Sequence, residues 1–433
     1  MQVIKFPNKK TWNDIIKRPV QVHAEVEKLV QPIIDNVRTS GDEALRFYAK
    51  KYDGVELKKL LVTRAEIRSA IKKVPQDLKT AIKTAKRNIE KFHAAQLQKS
   101  SVVETMPGVR CWRKSVPIEK VGLYIPGGTA PLFSTVLMLA VPASLAGCPE
   151  VILCSPTNEK GAIHPAILFT ADLCGITKLF KVGGAQAIAA MAFGTQSVPK
   201  VFKLFGPGNQ YVTMAKQLVN KEGIAIDMPA GPSEVLVIAD TFADPSFIAA
   251  DLLSQAEHGV DSQVILLTDN EMILGKVGME IEKQLQNLPR REMVERSLQN
   301  SKMILMSSMD ACIDLSNLYA PEHLILQTEN ARQLAEKVIN AGSVFIGPYS
   351  CESAGDYASG TNHTLPTNGF ATSYSGVSVD SFIKKITYQA ITKKGLKNIG
   401  KTIEIMAEHE QLLAHKKAVS IRLNSPSGVG GKK

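Results

Sequence analysis

The hydrophobic pattern of this chain changes character once, near Arg110. Before that point apolar residues recur at helical spacing over residues 20–51 and 64–98. In the second stretch Leu78, Ile82, Ala85, Ile89 and Phe92 make one stripe, with Lys79, Lys83, Lys86, Arg87 and Lys91 largely outside it. Beyond Arg110, short apolar runs stand at 121–125, 151–154, 179–182, 201–205, 225–228, 235–239, 264–267, 303–306, 323–326 and 343–346, and they read as strands. Helical stretches such as 133–146, 185–193 and 331–340 separate most of them, so the alternation predicts βα units with mainly parallel sheets. The expected fold class is α/β, with two Rossmann-like doubly wound units, a helical N-terminal segment and a small C-terminal domain. The divisions fall at 1–110, 111–235, 236–375 and 376–433, the last with a helix over 403–415 and a loose tail from Ser425. No repeat of solenoid period and no low-complexity tract interrupts the core.

Composition narrows the class more than the function. With 44% hydrophobic and 21% charged residues among 433, the chain can bury a large core as soluble globular proteins do. The first 17 residues are charged throughout and lack the apolar stretch of a secretion signal, and the longest apolar run, near 136–146, is too short to span a membrane. A cytoplasmic protein without a membrane partner is expected, and six cysteines without a CxxC pair fit a reducing compartment. The formal charge of +11 is uneven, since residues 1–120 hold 26 of the 52 Lys+Arg but only 13 of the 41 Asp+Glu. The basic helix within 78–92 reads either as a solvated face or as a surface for an anionic ligand or nucleic acid.

Candidate chemistry collects at helix ends and turns. Asp244 before Pro245 is an N-cap with proline at the first helical position, and Ile248, Leu252, Leu253 and Ala256 continue the helix. Gln255 and His258, three apart, share one face of it. They either satisfy the helix end or form half of a metal site, since imidazole nitrogen and an oxygen donor suit a mixed shell. Glu322 and His323 stand at the start of the run 323–326, as two neighbouring bases for proton transfer or as an exposed Glu beside a buried His. The segment 353–363 is small, polar and glycine-bearing, and it reads as a loop, not a helix, that can bring Asp356 and His363 to a ligand. Glu410 and His415, five apart, share no helical face unless the helix ends between them. Glycine turns at 124–128, 182–186 and 205–209 each follow a strand and open a helix, where backbone N–H groups can receive a phosphate. Without a GxGxxG signature they are either plain turns or a nucleotide site.

Longer motifs carry a more specific signal. Tyr-Ile-Pro-Gly-Gly (124–128), Gly-Pro-Gly-Asn (206–209), Met-Pro-Ala-Gly-Pro-Ser-Glu-Val (228–235), Ser-Gln-Ala-Glu-His-Gly (254–259) and Tyr-Ala-Pro-Glu-His-Leu (319–324) resemble histidinol dehydrogenases. So do Ser-Ala-Gly-Asp-Tyr-Ala-Ser-Gly-Thr-Asn-His (353–363) and Ala-His-Lys-Lys-Ala-Val (414–419), and the likeness runs over essentially the whole chain. The resemblance implies oxidation of L-histidinol to L-histidine through L-histidinaldehyde with two NAD, the last steps of histidine biosynthesis. It implies a homodimer with shared sites and one zinc per subunit, held by Gln255, His258, Asp356 and a partner's copy of His415. Glu322 and His323 would be the acid/base pair. Ser233, His363 and Glu410 would contact substrate together with the zinc-holding residues and His323, while Tyr124, Gln186 and Asn209 would hold NAD. The runner-up is a zinc-dependent hydrolase acting on a small amino-group substrate, which would activate a metal-bound water and need no nucleotide.

Overall fold

The computed structural model describes residues 1–18, 23–98, 100–127 and 130–425. Val20 of the first helical stretch, Gly128 of the first glycine turn and the tail beyond Ser425 lie outside the described residues. The strands are β1 (Gln2–Lys5), β2 (Val102–Met106), β3 (Val109–Pro117), β4 (Lys120–Tyr124), β5 (Glu150–Ser155), β6 (Lys178–Lys181) and β7 (Lys203–Phe205). They continue with β8 (Ala225–Ile226), β9 (Glu234–Ala239), β10 (Gln263–Thr268), β11 (Lys302–Leu305), β12 (His323–Gln327), β13 (Ser343–Ile346) and β14 (Ile383–Ile391). The anticipated runs are β4 to β13, and they form two parallel sheets.

The first sheet has the order β6-β5-β4-β7-β8, the second β1-β11-β10-β9-β12-β13. Setting aside β1, which pairs in parallel with β11 at the edge, each sheet runs third, second, first, fourth, fifth in its own chain order. Each therefore has a point where the winding reverses, between β4 and β7 in one and between β9 and β12 in the other. Every residue of β9, β10 and β12 is buried, which is why these strands read as near-continuous apolar runs without alternation. On one face Val235, Val237, Val264 and Leu266 pack with Ile248, Leu252 and Ala256 of the helix Pro245–Ala256. On the other Leu236, Ile238, Ile265 and Leu267 pack with Leu315 and Tyr319 of the helix Met309–Tyr319. The first sheet is covered in the same way, by Phe133–Ala146 and Pro165–Leu173 on one side and by Gly184–Phe193 and the N-terminal helix His23–Ser40 on the other. Among the described residues no helix is long and apolar enough to cross a membrane.

The chain divides into two compact units, Met1–Gln96 with Ile118–Phe382, and Leu97–Pro117 with the chain from Ile383 onward. The second unit holds an antiparallel sheet, β14-β3-β2, and the helices Lys393–His409 and Leu413–Asn424. Its strands escaped the sequence pattern because β2 is exposed throughout and β14 almost so, leaving no buried face to produce alternation.

Several expected helices are shorter than their patterns. The stretch 20–51 is split at Gly41, whose φ of +55° no helix accommodates, and 64–98 is split at Val74, extended because Pro75 follows. The helix expected over 331–340 ends at Ala335, and Asn317 takes over the backbone beyond, donating to Lys337 O at 3.0 Å and accepting from Ile339 N at 2.9 Å. Phe92 is exposed, and His93 instead is buried at that end of the stripe, its Nδ1 on Ile89 O at 2.9 Å. The segment 353–363 is not loop throughout: Glu352–Tyr357 is helical, with Gly355 so close to the Phe345 ring that a Cβ would stand 2.8 Å from it. Packing there overrides a composition poor in helix formers.

Candidate active site

In the first sheet the polar residues gather at the carboxyl ends of the strands. Tyr124 ends β4, and its hydroxyl accepts from Gly184 N at 3.1 Å across the turn after β6. Burial pushes that phenol up to about 12, so it is a neutral hydrogen-bonding group. Gly184, at φ +64°, starts the helix that carries buried Gln186. After β7 the chain turns at Gly206, at φ +126° and so tight on β4 that a Cβ would lie 2.1 Å from Tyr124 O. Asn209 then caps the helix Gln210–Lys221, its Oδ1 accepting from Tyr211 N and Val212 N at 3.1 Å each. Tyr124, Gln186 and Asn209 thus border the point where the winding reverses, at helix N-termini whose positive dipole ends suit an anion.

In the second sheet the polar residues gather at the amino ends. Glu234 opens β9, Glu322 precedes β12 and His323 opens it, so these are leading residues of central strands and not of a sheet edge. The Glu234 peptide holds both neighbours: its N–H donates to Glu322 Oε2 at 2.9 Å, and its carbonyl lies 3.1 Å from His323 Nδ1. A carbonyl only accepts, so Nδ1 carries the proton and Nε2 keeps a lone pair. That Nε2 is buried and, among the described residues, has no hydrogen-bond partner; it lies 3.8 Å from Asp356 Oδ1. Burial above all, with His258 and His363 nearby, pulls the His323 imidazole down to about 3, so it is neutral. Burial holds Glu322 well above the usual carboxylate range, opposed by the Glu234 N–H and reinforced by the charges of Glu234 and Asp356.

The helix Pro245–Ala256, capped by Asp244 as expected, runs back from β9 and delivers Gln255 and His258 to the same end. His258 N bonds Gln255 O at 3.3 Å, which continues the turn and keeps the two on one face. Ligand atoms of His258, Glu352 and Asp356 lie within 4.8 Å of one another. The Gln255 amide satisfies both its ends when its nitrogen donates to Glu352 and its oxygen accepts from Glu234 N at 2.8 Å. Half a rotation brings its oxygen to the Glu352 side. Burial raises Glu352 well above the ordinary value and Asp356 to about 7. Among the described residues neither carboxylate makes an ion pair with Lys or Arg. A buried and a partly buried carboxylate beside an imidazole and an amide form a donor set that fits a divalent cation such as zinc.

His363 backs this group. Its Nδ1 meets Asp356 O at 3.0 Å and its Nε2 meets Thr135 Oγ1 at 3.0 Å, so both ring nitrogens are engaged. Ser233 immediately precedes Glu234, and its carbonyl accepts from Gln263 N at 3.2 Å. Glu410 and His415 belong to the second compact unit, and the helix does end between them: Glu410 is the C-cap of Lys393–His409, Gln411 has φ +60°, and His415 lies in the next helix. Sequence reasoning passed over Glu234 and Glu352. Glu234 carried the same signal as Glu322, an ionisable residue at the head of an apolar run. Glu352 precedes Asp356 by four, a pairing visible only once that segment is helical.

The family model described as histidinol dehydrogenase matches residues 16–423. The chain is 60% identical over 425 residues to histidinol dehydrogenase of Bacteroides thetaiotaomicron, covering 98% of this chain and 99% of that one. It is 53% identical over 410 residues to that of Haemophilus influenzae, covering 94% and 95%. Its fold superposes on the crystal structure of histidinol dehydrogenase from Elizabethkingia anophelis with a TM-score of 0.96, at 57% identity and 98% coverage of both chains.

Proposed function

Because the chain belongs to the histidinol dehydrogenase family, we propose that it converts L-histidinol, water and two NAD to L-histidine, two NADH and released protons through L-histidinaldehyde. The observation that carries this reading is the backbone of Glu234, whose N–H is bonded by Glu322 and whose carbonyl is met by His323. In the first oxidation the free lone pair of His323 Nε2 takes the hydroxyl proton while hydride leaves the carbinol carbon, a task worth about 10²- to 10⁴-fold in rate. In the second, Glu322, a stronger base when ionised because its pKa is raised, draws a proton from the water that attacks the aldehyde. His323, having passed its first proton to solvent, accepts a second as the hydrate loses hydride.

The remaining assignments follow the same end-by-end division. Tyr124, Gln186 and Asn209 would hold NAD, which takes up the two electrons of each oxidation. Gln255, His258 and Asp356, with His415 of the partner subunit, would hold one zinc, which supplies orientation of the substrate's nitrogens when bound. Ser233, His363 and Glu410 are assigned to the substrate's surroundings. A homodimer is supported by the apolar residues that the second compact unit leaves exposed, among them Val102, Val103, Ile405, Met406, Leu413 and Ile421. Its six cysteines are free thiols, which suits the cytoplasm.

NADH absorbance after adding L-histidinol and excess NAD tests the reading, before chelation, after it, and after zinc is returned. Two NADH per histidinol, lost with chelator and regained with zinc, is the expected outcome. A folded, zinc-loaded protein that forms no NADH would refute it.

A further inference from the structure

Glu322 and His323 depend on a peptide, and that peptide depends on a side chain far away in sequence. The Glu234 carboxylate is only 2% exposed, and its oxygens receive Arg18 Nε and, at 2.8 Å, Arg18 Nη2. Oε1 also accepts from Asn368 N at 3.0 Å. The same Arg18 Nη2 donates to Tyr319 O at 2.8 Å, and the guanidinium lies over the Tyr319 ring, 4.0 Å from its centroid. Tyr319 is fully buried and leads through Ala320, a non-glycine residue held at φ +51°, into Pro321 and Glu322. One side chain from the N-terminal arm therefore ties the residue that opens β9 to the turn that opens β12.

Burial works against charge on both members of this pair. It pushes the Glu234 carboxyl up, against the pull of Arg18, while Arg18 is net raised by Glu234. With two guanidinium donors and a backbone N–H on the carboxyl oxygens, the pair is ionised. A buried ion pair is a weak source of stability compared with apolar packing, so its geometry is the better account of its presence. A planar fork on two carboxylate oxygens fixes position and angle in a way a single ammonium does not.

We propose that Arg18 is a positioning residue for the acid/base pair, setting the placement of Glu322 and His323 through Glu234 and Tyr319; this rests on the role given to that pair above. Misplacement of reacting groups by about 1 Å can cost roughly 100-fold in rate. Arg18→Ala is therefore expected to lower kcat by about 10- to 100-fold while KM for L-histidinol stays within about threefold, the split of a defect confined to the chemical step. Free guanidinium at a non-denaturing concentration should restore part of that kcat, and none of the kcat lost by Glu322→Gln. Arg18→Lys, which keeps the charge and loses the fork, should fall between.

Circular dichroism of each variant separates this from unfolding. Wild-type kcat in Arg18→Ala, or a loss that follows the unfolded fraction and ignores guanidinium, overturns the proposal. Should Arg18→Ala not fold, folded Arg18→Lys decides alone: reduced kcat supports the proposal and wild-type kcat overturns it. If Glu322→Gln and His323→Asn both keep wild-type activity, it is the assignment of the pair that falls, whatever Arg18 does.

Discussion

The two parallel sheets have the same strand order and use opposite ends of it. In the first, Tyr124, Gln186 and Asn209 stand at the carboxyl ends, where the helices Gly184–Phe193 and Gln210–Lys221 begin. In the second, Glu234, Glu322 and His323 stand at the amino ends, where the helix Pro245–Ala256 finishes and brings Gln255 and His258. Helix starts carry partial positive charge and favour anions, while helix finishes carry partial negative charge and favour cations. One topology thus offers a place fit for a pyrophosphate at one end and a place fit for a metal ion and proton transfer at the other. Duplicated architecture does not imply duplicated chemistry, because the end that is lined decides which charges are welcome.

The sharpest way to break this comparison is to disable the amino end of the second sheet. His323→Asn should lower kcat by about 10²- to 10⁴-fold with the fold intact by circular dichroism, and a loss below tenfold would remove that end as the place of chemistry. Glu322→Gln should cost about 100-fold, with oxidation of added L-histidinaldehyde hit harder than formation of the first NADH. Loss of alcohol oxidation with aldehyde oxidation spared would reverse the division of labour between the two residues.

The carboxyl end of the first sheet is probed by Gly206→Ala. The new methyl meets Tyr124 O at a φ of +126°, a strain of roughly 1–3 kcal/mol, so KM for NAD should rise while zinc affinity, measured by chelator competition, stays unchanged. Equal damage to both would show that the two ends are not independent.

The smallest effect concerns Asp251, one turn before Gln255 and bonded by Gln327 Nε2 at 2.9 Å. Burial, opposed by Gln327, pushes its carboxyl up to about 6. A raised carboxyl favours the folded state fully below its unfolded value of about 3.9, and this contribution is lost as pH rises through about 6. Asp251→Asn should therefore gain about 2 kcal/mol in urea unfolding at pH 8 relative to its effect at pH 4. The same increment at both pH values would contradict a buried, titrating Asp251.

Much of this molecule was legible in its apolar runs. Strands β4 to β13 were readable as apolar runs, the inner ones because a doubly wound sheet buries both faces, and Asp244-Pro245 marked the start of the helix that carries Gln255 and His258. The motif-bearing residues Glu322, His323 and Asp356 could be named one by one, along with the fold class and, through resemblance, the family. What tertiary structure alone decided is which of them meet. Strands β2 and β14, solvent-exposed over most of their length, and their partner β3, buried only at Val109, leave no periodic trace, and the helix Glu352–Tyr357 forms in a sequence unsuited to it because Gly355 packs on Phe345. The grip of Glu234 on Glu322 and His323, and of Arg18 on Glu234, joins residues 88, 89 and 216 positions apart. Spacing in sequence reports faces of single helices and strands. Contacts across a sheet's reversal point depend on strand order, which no local pattern encodes.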